Sequence, residues 1–315
     1  MFMWEEAEFF SVLGIDVYAY GLFCAIGAAA MMGLIALLGK KMQLQKGAAA
    51  LMGIFAMLLG AFFSKLFFSL FSFNVDAPFF GKMRPSLFTG GGYSMTGALL
   101  GGLMGAALAG KVLKDGPIRY LDVFSVSCLA FVFFARLGEM FYPEYAGFGV
   151  SRPLIYEFTT KWPVAISDGM ESYLATYLLE AIAALVMAGI LLFDMRKQKK
   201  AGNTFVMFLL LFGASQVIME SLRYDRHMSY SFIRMQQVIA VLFLLCGLLL
   251  AAGRAGKKKG FLWLIVGGMV IVSGIGVALE FAIDRTTINR YLLYGAYVLL
   301  LGLPMWLGIR LRKEA

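Results

Sequence analysis

Hydrophobic positions in this chain fall in long, nearly unbroken blocks separated by short polar segments. The blocks approach ~20 residues, the length that carries a helix across roughly 30 Å of hydrocarbon. They lack the two-residue alternation of a barrel strand, and an isolated strand in lipid would leave its backbone groups unpaired. The pattern predicts nine helical spans: 17–38, 47–73, 93–109, 121–135, 173–193, 204–221, 237–252, 261–283 and 291–309. The fourth is short, and is expected either to reach further with tilt or to be partly re-entrant. The fold class that follows is an all-α integral membrane protein, a polytopic helix bundle.

Composition supports this class. The chain is 61% hydrophobic and 15% charged, against about 50% and about 25% in soluble domains. Its start, MFMWEEAEFF, carries three glutamates and no basic residue, unlike a cleaved signal peptide. Loops 40–46, 111–119, 196–200, 254–259 and 310–313 together hold 17 Lys and Arg. The alternate segments 74–92, 137–172, 222–236 and 284–290 hold 9. By the positive-inside rule the first set is expected to be cytoplasmic, with the N-terminus outside and the C-terminus inside. The net charge of +9 then reflects topology and anionic lipid, and nucleic acid is not an expected partner.

All three cysteines, Cys24, Cys128 and Cys246, fall in spans, and His227 is the single histidine. Neither a disulfide framework nor a metal site is suggested. Nucleotide-binding fingerprints are missing, and so is an internal repeat of the transporter kind. Gly97, Gly101 and Gly105 recur every four residues on the third span, a face that lets a neighbouring helix approach closely.

Charges inside hydrocarbon cost at least about 2.5 kcal/mol and usually face a bundle interior or a wet cavity. The candidates are Lys65, Asp122, Arg136, Glu180, Glu220 and Glu280, with Arg223 and Asp225 just beyond span six. Lys65 is expected to snorkel along its own stem. Asp122 is expected to act as a helix N-terminal charge. Arg136 and the Glu220/Arg223 pair lie at the same end of their helices. Two readings follow: a salt bridge from Arg136 to Glu220 or Glu139, or an anion site, because a guanidinium fork matches phosphate oxygens.

The segment Ala135–Gly147 resembles the signature G-R-x-G-N-F-x-N-x-E-x-x-G of the prolipoprotein diacylglyceryl transferases, through Arg136, Gly138, Glu144 and Gly147. Other blocks follow in order. "YAYGLFCAIG" is similar to a first-helix W-Y-G-L through Tyr20, Gly21 and Leu22. "GGYSMTGALLGG" resembles G-G-x-S-F-H-G-G-L-L-G, and "LLEAI" an L-Y-E block through Glu180. "FGASQVIMESLRYD" resembles Y-G-x-x-R-F-x-x-E-F-x-R-x-D through Gly213, Glu220, Arg223 and Asp225, and a glutamine follows at Gln236 or Gln237. Thr96 stands where the family has histidine, Gln216 where it has arginine, and Glu139 and Tyr142 where it has asparagines.

The resemblance implies a diacylglyceryl-transferase-like membrane domain over residues 1–253, a seven-helix core, with two extra C-terminal transmembrane helices in residues 254–315. It implies transfer of a diacylglyceryl group from phosphatidylglycerol, or a related anionic phospholipid, to the lipobox cysteine thiol of a prolipoprotein at the outer face of the cell membrane. No cofactor is implied. It places catalytic work on Arg136, Tyr20, Glu144 and Glu220, and phospholipid contact on Arg136, Glu139, Arg223, Gln216, Ser94 and Thr96. The departures at Thr96 and Gln216 support an alternative: a catalytically degenerate paralogue that binds a phospholipid or a partner in the membrane.

Overall fold

A computed structural model describes residues 8–12, 15–71, 93–141, 150–153, 165–167, 172–197, 200–223, 228–230 and 233–314. Expectations that fall on Gly91, Gly92, Tyr142, Glu144, Gly147, Asp225 and His227 lie outside the described residues. Among the described residues nine helices are long and apolar enough to cross a membrane. They are α1 (Ala19–Lys41), α2 (Ala48–Phe71), α3 (Met95–Val112), α4 (Pro117–Gly138), α5 (Thr176–Lys197), α6 (Asn203–Leu222), α7 (Met235–Arg254), α8 (Lys259–Arg285) and α9 (Arg290–Glu314). Successive helices run in opposite directions. The N-termini of α1, α3, α5, α7 and α9 therefore share one end of the bundle, called the site end below.

Span four is a full helix of 22 residues, which removes the re-entrant alternative. Its start was hidden in a polar stretch but carries local signals. Gly116 takes φ +81° at the N-cap, and Pro117 occupies the first turn, where a missing N–H costs nothing. Short strands, which the hydrophobic blocks did not predict, lie outside the spans at the site end. β1 (Glu8–Val12) pairs antiparallel with β2 (Ile15–Tyr18). β5 (Ser172–Ala175) pairs antiparallel with both β3 (Val150–Pro153) and β4 (Ala165–Ser167). β6 (Ser229–Tyr230) pairs with β7 (Ile233–Arg234).

Helix α4 is the hub, packing on α1, α3, α5 and α6. Its buried serine hydroxyls are satisfied within the helix: Ser125 donates to the Leu121 carbonyl at 2.7 Å and Ser127 to the Val123 carbonyl at 2.9 Å. No partner outside α4 is needed to bury them. The glycine face of α3 meets α2 as the spacing predicted. A Cβ at Gly97 would lie 2.5 Å from the Phe63 carbonyl oxygen, and one at Gly105 2.5 Å from the Phe55 carbonyl carbon. At Gly101 it would strike the Leu59 carbonyl. Two tight pairs result, α2 with α3 and α1 with α4, while α1 and α2 touch only sparsely. A gap between the pairs remains, and the cavity described below occupies it.

Asp122 does carry a helix N-terminal role, but for another helix. It lies beyond the first turn of α4, and its carboxylate accepts the Gly202 N–H at 2.5 Å and the Phe205 N–H at 2.8 Å. It thus caps α6, whose own N-cap glycine has no side chain to do so. Lys65 is buried near the site end with its ammonium over the Tyr93 ring, 4.8 Å from the centroid. Arg312, counted above as a loop charge, is buried, and Arg312 Nη1 lies 2.6 Å from Asp194 Oδ2.

Candidate functional site

At the site end, α4 closes with a tightened 3-10 turn, Glu139–Phe141. The turn brings the Glu139 carboxylate back onto Arg136, three residues earlier, and the two form an ion pair. Arg223, at the end of α6, reaches the other oxygen of Glu139 at 3.3 Å. Glu180, one turn into α5, completes the figure. Its Oε1 accepts from Arg223 Nη1 at 2.9 Å, and its Oε2 lies 2.5 Å from Arg136 Nε. That last contact is ionic, without hydrogen-bond alignment. Two guanidiniums and two carboxylates therefore alternate in a closed ring contributed by α4, α5 and α6.

All four side chains are buried, with exposures of 3–6%. One buried ion pair is a poor source of stability, because desolvation offsets the attraction. Four alternating charges do better, since each carboxylate is held by both arginines and no net charge is left over. Glu220 stands behind the ring. It is fully buried, and its Oε1 accepts from Gln216 Nε2 at 3.1 Å on the same face of α6. Of the two bridges expected for Arg136, the one to Glu139 forms and the one to Glu220 does not; Glu180 is the second partner. Glu220 does not pair with Arg223 either; Arg223 turns to Glu180 and Glu139.

The ring opens onto a cavity of about 490 Å³, within the ~300–1,000 Å³ of ordinary ligand pockets. Its polar end is formed by Arg136, Glu139, Arg223, Tyr20 and Gln236. Its depth is apolar, lined by Ala28, Met31, Ala56, Leu99, Phe124 and Cys128. From Tyr20 to Met31 the lining follows α1 for about 16 Å at 1.5 Å per residue. The Tyr20 ring rests against Gly138, where a Cβ would come 3.2 Å from Cδ2. A side chain at 138 would push α1 away from Arg136.

Sequence reasoning named Arg136, Glu139, Arg223 and Tyr20, and the structure brings them together at the polar end of the cavity. Gln216 and Glu220 form a second layer. Ser94 and Thr96 turn instead into the α2–α3 contact. Ser94 Oγ lies 3.0 Å from Thr96 Oγ1 and accepts the Gly97 N–H, while Ser64 Oγ donates to the Ser94 carbonyl. Their neighbours Tyr93 and Met95 line the cavity. Glu144 lies outside the described residues. Glu180 was not among the predicted site residues, although a carboxylate inside an apolar span was signal enough to find it. Among the described residues, no group of three or more metal-type ligands is found.

Fold and site together define a polytopic helical membrane protein with a buried arginine–carboxylate ring at one end of an apolar cleft. Residues 7–252 match the family described as prolipoprotein diacylglyceryl transferase, and the chain belongs to that family. It is 27% identical over 260 residues to a phosphatidylglycerol–prolipoprotein diacylglyceryl transferase of Clostridium novyi (strain NT), covering 79% of this chain and 96% of the relative. Proteins of the same name from Staphylococcus haemolyticus and Staphylococcus aureus (strain Newman) are 23% and 25% identical. Those matches cover 81% and 85% of this chain, and 90% and 96% of the relatives.

Proposed function

We propose that this chain transfers a diacylglyceryl group from phosphatidylglycerol to the lipobox cysteine thiol of a prolipoprotein. One observation carries the reading: the arginine ring lines one end of an apolar cleft, inside the segment that matches the family. A phospholipid has the complementary shape, a phosphate for the guanidiniums and acyl chains for the cleft. The bias in basic residues supports a site end that faces outward, with the N-terminus outside and the C-terminus cytoplasmic.

In the proposed step the thiol sulfur bonds to the glyceryl carbon, and the carbon–oxygen bond to phosphate breaks. The electron pair leaves with glycerol phosphate, whose growing charge Arg136 and Arg223 neutralise. A thiol near its ordinary pKa of about 8.5 needs a base. Thr96 is unsuited, being held in the cap of α3. Glu139 is placed for the task. An entering phosphate competes for the guanidinium forks that hold its carboxylate, and the carboxylate so released accepts the thiol proton. Tyr20 stands at the same end of the cleft to orient the reacting groups. Glu220 and Gln216 support the ring from behind.

The placement of Thr96 and Gln216 favours a second reading, a family member that binds phospholipid or a partner without catalysis. Both side chains are taken up by contacts within the protein. The two readings part in a strain depleted of its own transferase. Expression of this chain is expected to restore thioether-lipidated lipoprotein, and Arg136→Ala is expected to lose it. Wild type giving no more lipidation than Arg136→Ala would leave the non-catalytic reading.

A further inference from the structure

The family match ends at residue 252, yet the two helices beyond it are tied to the arginine ring through side chains and backbone of α6 and α7. Glu280 is a buried carboxylate on α8, 5% exposed, inside an otherwise apolar helix. Gln237 Nε2, on the first turn of α7, donates to Glu280 Oε1 at 2.6 Å and to the Val217 carbonyl at 3.4 Å. The opposite face of the same amide, Gln237 Oε1, accepts the Arg234 N–H at 3.1 Å. Arg234 Nη2 donates in turn to the Arg223 carbonyl at 2.6 Å. Arg223 then enters the ring through Glu139 and Glu180. A second tie runs beside the first, from the Tyr294 hydroxyl on α9 to the Ser221 carbonyl at 3.1 Å.

We propose that Glu280 is a positioning residue through which the C-terminal helix pair sets the place of Arg223 in the ring. The proposal rests on the functional reading above for what the ring does. An amide side chain has one donating and one accepting end, and its two orientations differ only in what they face. Glu280 presents an acceptor, so it holds the Gln237 NH2 toward α8 and the carbonyl toward the Arg234 N–H. That N–H is one of the orphan donors at the start of α7. Without an acceptor at 280 the amide NH2 keeps only its longer bond to the Val217 carbonyl, the first turn of α7 loosens, and the Arg234 contact to the Arg223 carbonyl loosens with it. Gln236, next along α7, lines the cavity and moves with the same turn.

Purified full-length protein in lipid nanodiscs provides the test, with phosphatidylglycerol as donor and a lipobox peptide as acceptor. Glu280→Leu is expected to raise KM for the donor roughly tenfold, in the range of couplings carried by packed networks. Glu280→Gln keeps an acceptor and is expected to stay within about twofold of wild type. Arg312→Met cuts the helix pair's tie at the far end of the bundle. It is expected to lower the melting temperature while leaving KM unchanged. Hydrogen exchange over residues 233–240 is expected to quicken in Glu280→Leu and not in Glu280→Gln. An active Glu280→Leu enzyme with wild-type KM would overturn the proposal. So would a Glu280→Leu enzyme that matches Arg312→Met in both KM and exchange. If wild type itself transfers no diacylglyceryl group, the functional reading falls and exchange alone decides: equal rates in Glu280→Leu and Glu280→Gln overturn the positioning role.

Discussion

Two buried arginine sites stand at opposite ends of the bundle, and their chemistry is nearly the same. At the site end, Arg136 and Arg223 share Glu139 and Glu180 beside a cavity. At the other end, Arg312 pairs with Asp194 at 2.6 Å and donates to the Asn203 carbonyl at 3.3 Å, within packed helix ends. Both obey the rule that charge in hydrocarbon is paired. A buried pair by itself therefore says little about function. What separates the two is the cavity: the ring has open space in front of it, and the Arg312 pair has neighbouring helix ends.

The largest effect that would sharpen this contrast comes from replacing each pair by apolar residues. Arg312→Met alone strands the Asp194 carboxylate and is expected to cost about 3–5 kcal/mol. Adding Asp194→Leu is expected to recover most of that, because an apolar replacement of a buried pair is often neutral or better. Thermal unfolding in detergent checks both. At the ring, Arg136→Met with Glu180→Leu is expected to lower transfer by at least about 10²-fold however well it folds, the cost of losing one preorganised donor to a developing oxyanion. Recovered transfer in that double variant would erase the distinction between the two sites.

A smaller effect tests the cavity. Ala28→Phe fills its apolar depth and is expected to raise KM for the donor at least about tenfold, the low end of the effect of one misfitted methylene in a hydrophobic pocket. An unchanged KM, read in the same nanodisc assay, would mean the acyl chains lie elsewhere. The smallest effect lies far from the ring. Asp122→Ala removes the cap that α4 lends to α6 and is expected to cost about 1 kcal/mol with unchanged kcat. A loss of transfer beyond the loss of folded protein would show that the far end also serves the chemistry.

Much of the bundle was legible because the solvent is simple. A helix in hydrocarbon must be long, apolar and internally bonded, so each block announced its span, and the glycine spacing on α3 announced its contact with α2. The ends were less legible. Span four began in a polar stretch that only Gly116 and Pro117 marked. Arg312 and Arg234 read as loop charges, because a basic residue near a helix end looks the same whether it faces water or a carboxylate. Arg136 stood out in an apolar run, and the family resemblance carried Glu139, Arg223 and Tyr20 along with it. Ser94 and Thr96 came from the same resemblance, yet they face away from the cavity.

By itself the sequence determined the class, the number and approximate limits of the spans, the small-residue contact and a family signature in five ordered blocks. Those properties are local: hydropathy, spacing and motif order need no partner to be read. Which carboxylate each arginine meets was decided only by the tertiary structure. Glu180 lies 44 positions from Arg136 and 43 from Arg223 in the chain, and nothing local selects it over Glu220. Desolvation selects it, because each buried charge needs an opposite one within reach once the helices are packed. The same packing holds α1 away from α2, and so gives the arginine ring a cleft to face.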